Sequence, residues 1–246
     1  MRYRLVCLDA GFTLLAPRRT LAAALGGVLA ERGHPVSEEQ LHAAWQVANR
    51  WFWEDYHRPD NRTWGDDAAI ERTWRQYHAL MLSELGYADR RHELLDLILA
   101  SQFSADAWEL YPDVEPTLTA LKAIPGMTLA VVSDWGSNLV GITQALGLDR
   151  WVDFVLASGA EGLAKPDPAF FGVALSRAGV GPGEALMVGD TYHADVEGAI
   201  RAGMDGVLLR RPSEQPGPVL PVEEPPPGTT IISSLTALLP MVSARR

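Results

Sequence analysis

Five short apolar-rich runs punctuate the chain: Arg4 to Leu8, Leu129 to Val132, Asp153 to Ala157, Ala185 to Val188 and Gly206 to Leu209. Each has the length of a β-strand. Near-continuous apolarity without alternation suits strands buried on both faces, as in a parallel sheet covered by helices. Three of the runs end on residues able to do chemistry: Asp9, Ser133 and the pair Gly189-Asp190. Between runs the period is helical, with start signals at Asp113 ahead of Val114 to Ala123 and at Asp167, where Pro168 takes the first helical position. The alternation predicts an α/β fold.

Residues 17–107 break that alternation and carry only helical periodicity. Thr20 to Arg32 reads as one helix, Ser37 with Gln40 forms a capping box for a longer one, and Ala68 to Leu85 and His92 to Ser101 follow. The pattern divides the chain into a core of residues 1–16 and 108–246 and an all-helical insert at 17–107. Most of the aromatic mass lies in or beside the insert: Trp45, Trp51, Phe52, Trp53, Tyr56, Trp64, Trp74, Tyr77 and Trp108. These are expected to pack helix on helix, with a few lining a pocket that faces the sheet. Arg211 to Gly228 holds seven prolines and reads as a stiff surface loop before a last strand at Thr230 to Ile232, rather than as a polyproline ligand.

With 246 residues and 47% apolar content the chain can bury a sizeable core, which excludes whole-chain disorder. Its 21 basic against 31 acidic residues give a net charge of −10, which repels a phosphate backbone and argues against nucleic acid as a partner. Lys122 and Lys165 are the only lysines, so a step that needs one has two candidates. The lone Cys7 excludes a disulfide framework, no run is long enough for a membrane span, and Asp9 interrupts the first apolar stretch too early for a secretory signal. A cytoplasmic protein is expected. The oligomeric state stays open, since a Trp-rich insert can bury its rings internally or against a second copy.

In a parallel α/β sheet, ligands bind beyond the carboxyl ends of the strands. If Asp9 and Asp190 meet there, their charges need a cation between them, and hard oxygen ligands with open water positions favour Mg²⁺. The ordered motifs Leu8-Asp9-Ala10-Gly11-Phe12-Thr13-Leu14, Val132-Ser133-Asp134, Lys165-Pro166-Asp167-Pro168 and Gly189-Asp190 with Asp195 five residues on together make a chain that resembles the haloacid dehalogenase-like hydrolase superfamily over essentially its whole length. The resemblance implies a Rossmann-like core with the insert as a helical cap. It implies a phosphatase in which Asp9 is the nucleophile and Asp9, Asp190 and the carbonyl of Gly11 hold Mg²⁺. Thr13 and Asp195 would support the metal site, Ser133, Asp134 and Lys165 would bind the phosphoryl group, and the partner would be a small phosphorylated metabolite.

One position departs from that pattern. The family's phosphatases usually carry a second Asp two residues after the nucleophile as general acid and base, and here Gly11 stands in its place. A glycine cannot transfer a proton, a loss typically worth about 10² to 10⁴ in rate. Three readings remain: a phosphatase that finds its proton elsewhere or takes an acidic leaving group, a dehalogenase-type or phosphonatase-type hydrolase, and a phospho-ligand-binding protein with little turnover. The retained Gly189-Asp190 pair speaks against the dehalogenase, and the lysine-free insert against a phosphonatase Schiff base. Candidate substrate-selecting residues are Trp51, Trp53, His57, Arg58, Arg62 and Trp64, and His193 is a candidate replacement proton donor.

Overall fold

The computed structural model describes residues 2–56, 58, 63–212 and 224–243, with Arg91 by its backbone alone. Its strands are β1 (Leu5–Leu8), β2 (Leu15–Pro17), β3 (Trp108–Leu110), β4 (Thr128–Ser133), β5 (Phe154–Ala157), β6 (Ala185–Gly189), β7 (Asp205–Leu209) and β8 (Ile231–Ile232). Six of them form one wholly parallel sheet in the order β5-β4-β1-β6-β7-β8. All five apolar runs of the sequence are strands of this sheet, within a residue or two at each end. The chain builds outward from β1 to β4 and β5, then returns to lay β6 on the other side of β1. That reversal opens a crevice at the carboxyl ends of β4, β1 and β6.

Alternate residues of each strand face opposite layers. Val6, Leu8, Val131, Leu186 and Val188 pack on one side, and Leu5, Cys7, Ala130, Val132 and Met187 on the other. The helices are α1 (Leu21–Glu31), α2 (Glu38–Tyr56), α3 (Asp67–Glu84), α4 (Arg91–Gln102), α5 (Val114–Lys122), α6 (Leu139–Ala145), α7 (Ser158–Glu161), α8 (Pro168–Ala178), α9 (Gly198–Arg201) and α10 (Leu238–Ser243). Helices α5, α6 and α10 cover the first face, and Phe170, Phe171 and Ala174 of α8 cover the second. Both faces are therefore apolar, as the unalternating runs require.

Helices α1 to α4 gather around their own apolar cluster, which includes Leu25, Leu29, Ala44, Ala48, Tyr77, Met81 and Leu94. Their starts are those marked in the sequence. Thr20 accepts from the amide of Ala23, and Ser37 and Gln40 exchange bonds of 2.9 and 3.2 Å across the capping box. Asp167 likewise accepts from Ala169 ahead of α8.

Asp113 departs from its expected role, because its carboxylate makes no capping bond to α5. It is taken instead by Arg211 at 2.9 and 3.0 Å, by the Ser234 hydroxyl and by the amide of Leu235. The antiparallel pair β2 and β3, where the insert leaves and rejoins the core, was not foreseen. Three residues per strand give too little pattern for periodicity to register. The proline-rich segment lies mostly outside the described residues. No described helix is long and apolar enough to cross a membrane.

Candidate active site

Asp9 directly follows β1, Ser133 ends β4 and Asp190 directly follows β6, so the sheet brings all three to the crevice. Lys165 joins them from the loop ahead of α8. Its ammonium donates to Asp9 Oδ1 at 2.6 Å and to Asp195 Oδ1 at 2.6 Å, with all three side chains at least nine-tenths buried. The backbone amide of Lys165 donates to Asp134 Oδ1 at 2.9 Å. Asp195 sits in a π-helical turn, Tyr192–Glu197, and its second oxygen accepts from the amide of Thr191 at 3.0 Å. Gly189 is required here, because a Cβ at that position would collide with the Asp195 carboxylate. Thr13, fully buried, donates to Asp190 Oδ1 at 3.4 Å.

The cluster is rich in carboxylates. Burial disfavours the Lys165 ammonium, but the charges of Asp195, Asp9 and Asp134 overcome this and hold its pKa well above the usual range. Burial, reinforced by the negative charges of Asp9 and Asp195, pushes the Asp190 carboxyl well above its usual value. Burial also lifts Asp195 to about 6 against the opposing pull of Lys165, and Asp134 to about 7. Four acidic side chains around Lys165 leave a surplus of buried negative charge that a divalent cation would offset. The oxygen donors Asp9 and Asp190 have the hard chemistry such an ion prefers. Among the described residues no three His, Cys, Asp or Glu side chains form a ready-made ligand group, so water, backbone or substrate oxygens would complete the shell.

The glycine at position 11 has a structural counterpart. A Cβ built on Gly11 would stand 3.3 Å from Cζ3 of Trp135, the residue that follows Ser133-Asp134. Trp135 is held by its amide, which donates to the Ser158 hydroxyl at 3.0 Å, and by the Trp108 ring, 4.8 Å away centroid to centroid. The indole thus crowds the space a second carboxylate would enter. Phe12, next in the chain, has a φ of 55°, a left-handed conformation rare for a bulky side chain.

From this cluster a cavity of about 740 Å³ runs between the sheet's crevice and the helices, lined by Asp9, Gly11, Ser133, Asp134, Lys165 and Asp190 at its polar part. Asn49, Phe52, Trp53 and Tyr56 of α2 contribute one wall, joined by Trp64, Trp74, Trp108 and Trp135. Positions 49, 52, 53 and 56 repeat at i, i+3, i+4 and i+7, a stripe on one helix face that the sequence already contained. Trp53 and Trp64 of the sequence candidates therefore line the cavity. Trp51 does not: it continues the stripe of Ala44 and Ala48 and packs into the helical cluster. Arg58 is not on the wall either, being exposed and paired with Asp55 at 3.5 Å. His57 and Arg62 lie outside the described residues. His193 does not line the cavity, and its Nδ1 pairs with Glu197 at 2.7 Å on the partly exposed side of the π-turn.

The chain matches a family model described as haloacid dehalogenase-like hydrolase over residues 3–203. It is 29% identical over 242 residues to haloacid dehalogenase-like hydrolase domain-containing protein 3 of Mus musculus, covering 98% of this chain and 94% of that protein. It is also 35% identical over 147 residues to a phosphoserine phosphatase of Thermus thermophilus, covering 57% and 54%. Among solved structures, a 2-haloacid dehalogenase from Pseudomonas syringae is similar with a TM-score of 0.62 at 28% identity, covering 98% and 97%. With the strand-end carboxylates, the buried lysine and a match spanning most of the chain, this protein belongs to the haloacid dehalogenase-like hydrolase family.

Proposed function

We propose that this hydrolase is a Mg²⁺-dependent phosphatase of a small phosphomonoester. In this reading residues 1–16 and 108–246 carry the phosphoryl chemistry and residues 17–107 act as the cap. The observation that carries it is the buried Lys165 ammonium, fixed at 2.6 Å from both Asp9 and Asp195 and lining one cavity with Ser133. An ammonium held in this way is a preorganised charge for a transferring phosphoryl group, and positioning with electrostatics is most of what that reaction asks of a protein.

Asp9 would attack phosphorus and carry the phosphoryl group as an acyl phosphate, which water then hydrolyses. Ser133 would donate to a phosphoryl oxygen. One carboxylate oxygen of Asp134 is taken by the amide of Lys165, while its other oxygen is buried without a partner; its backbone N–H would donate to phosphate. Asp9, Asp190 and the carbonyl of Gly11 would hold Mg²⁺, which when bound neutralises charge on the transferring group. Thr13 keeps Asp190 in place through its hydroxyl. Asp195 would hold Lys165, whose ammonium it binds directly, and support the metal site from beside Asp190.

The retained Asp190, which feels the charge of Asp9, speaks against metal-free dehalogenation. The test is turnover of a phosphomonoester panel with Mg²⁺ and with EDTA, beside Asp9→Asn. The expected result is metal-dependent release of phosphate that falls by more than about 10³-fold in the variant. Chloride release from 2-chloroacids without phosphate release would replace this reading with the dehalogenase, and phosphate-ester binding without turnover would replace it with a binding protein.

A further inference from the structure

Resting on the phosphatase reading, we infer that the substrate is an aryl phosphate, a phosphomonoester of a phenolic hydroxyl. Two independent observations meet on it. The first is the wall. Phe52, Tyr56, Trp64, Trp74, Trp108 and Trp135 line the same cavity as Asp9 and Lys165. The rings brace one another, Phe52 against Trp74 at 5.4 Å and Trp108 against Trp135 at 4.8 Å, so they present fixed aromatic faces and edges. A volume of about 740 Å³ admits a substituted ring, and aromatic pairing adds to its burial.

The second observation is the seat of the missing proton donor. Position 11 is not merely vacant of an acid, because Trp135 stands 3.3 Å from where its first side-chain atom would be. His193 faces Glu197 and does not line the cavity. An alkoxide leaving unprotonated is poor, since alkanols lie near water in acidity, at about 15.7. A phenoxide, with a conjugate acid near about 10, leaves without such help. Trp135, which crowds position 11, is also one of the rings that line the cavity. The aromatic wall and the missing acid thus point to the same class of ester.

The step balances without a donor from the protein. The bond from Asp9 to phosphorus forms as the phosphorus–aryl oxygen bond breaks, and the aryl oxide leaves with the electron pair and takes its proton from solvent. Water then attacks phosphorus, the Asp9 carboxylate departs, and orthophosphate is released with the water's proton passing to solvent.

The test compares phenyl, benzyl and cyclohexyl phosphate, with adenosine monophosphate as a large ring-bearing alkyl ester. Phenyl carries ring and acidic leaving group, benzyl the ring alone, and cyclohexyl neither. The expected order in kcat/KM is phenyl, benzyl, cyclohexyl, with phenyl ahead of cyclohexyl by about 10² or more. Equal rates, or a lead for adenosine monophosphate, would overturn the inference while leaving the phosphatase intact. Binding gives a second readout: phenylphosphonate should bind the Mg²⁺-loaded protein about five-fold or more tighter than cyclohexylphosphonate by titration calorimetry. Phe52→Leu should shrink that ratio towards one. No turnover of any ester together with a clear phenylphosphonate preference would remove the phosphatase reading and keep the aryl ligand. Equal binding of the two phosphonates would remove the aryl ligand.

Discussion

The two halves of the cavity are built by opposite means. At the polar half, Asp9, Lys165 and Asp195 are tied by charge-assisted bonds of 2.6 Å on the ends of a parallel sheet. At the aromatic half, the rings of α2, α3 and the neighbouring loops hold one another by stacked and edge-on contacts. In the proposed phosphatase the first half, which fixes a few atoms in place, would serve any phosphoryl group. The second, which fixes a shape, would carry the choice of what is attached to that group. A charged cluster tolerates almost no substitution because each member satisfies the others, whereas an aromatic wall loses selectivity ring by ring.

The largest expected effect tests the charged half. Lys165→Met leaves Asp9 and Asp195 buried without their cation, and removing one partner of such a network costs about 3 to 5 kcal/mol. Urea unfolding should show that loss, with phosphatase turnover down by about 10² to 10³. Stability within about 0.5 kcal/mol of the parent would mean that the cluster is not the interlocked unit described.

A pH experiment probes the helical half. His78 of α3 is buried against Trp74 and Tyr77, and its Nε2 meets Gln102 Oε1 at 2.5 Å. Burial lowers its pKa from 6.5 to about 4, with the Gln102 bond opposing. The unfolded chain therefore binds the proton more tightly than the folded one. The stability gained from keeping His78 neutral is full above pH 6.5 and is lost as pH falls towards 4. Between pH 7 and pH 5 the parent should lose about 2 kcal/mol that His78→Gln does not. Any pH dependence that the two proteins share cancels in the difference. Parallel pH profiles would place His78 in a wetter setting and loosen the contrast between the halves.

The smallest effect concerns the seam between them. Asp67, at the start of α3, accepts from the amide and hydroxyl of Ser137 at 2.8 and 2.5 Å, joining the insert to the loop after Ser133-Asp134. Asp67→Ala should lower stability by about 1 kcal/mol or less, since the contact is exposed, and calorimetry would register it as a shift of a few degrees. A larger loss would show that the two halves are one cooperative unit rather than two surfaces joined by a latch.

Much of the polar half was legible beforehand. Apolar runs ending in Asp9, Ser133 and Gly189-Asp190 announce strand ends, and strand ends of a parallel sheet converge. The role of Asp195 was less legible. Its spacing from Asp190 suggested support of a metal site, and the path of the chain adds a bond to Lys165, 30 residues earlier, that the spacing does not announce. Asp113 looked like a helix start by local rule, yet Arg211, 98 residues away, claims it. In the helical half the stripe of Asn49, Phe52, Trp53 and Tyr56 was present in the sequence. An apolar stripe alone does not say whether it meets another helix or a cavity, and Trp51, one residue away, shows both fates on the same helix.

The sequence by itself determined the α/β alternation, the helical insert, the helix starts at Ser37 and Asp167, and the set of acids that stand at strand ends. These follow from local periodicity and capping, which act over a few residues and leave their mark in the pattern. The tertiary structure alone decided which acids the buried lysine binds, which tryptophans face the cavity, and that Trp135 crowds the position where Gly11 lacks a carboxylate. Those are contacts between residues far apart in the chain, 156 positions for Lys165 and Asp9, and close packing settles them only when the layers meet.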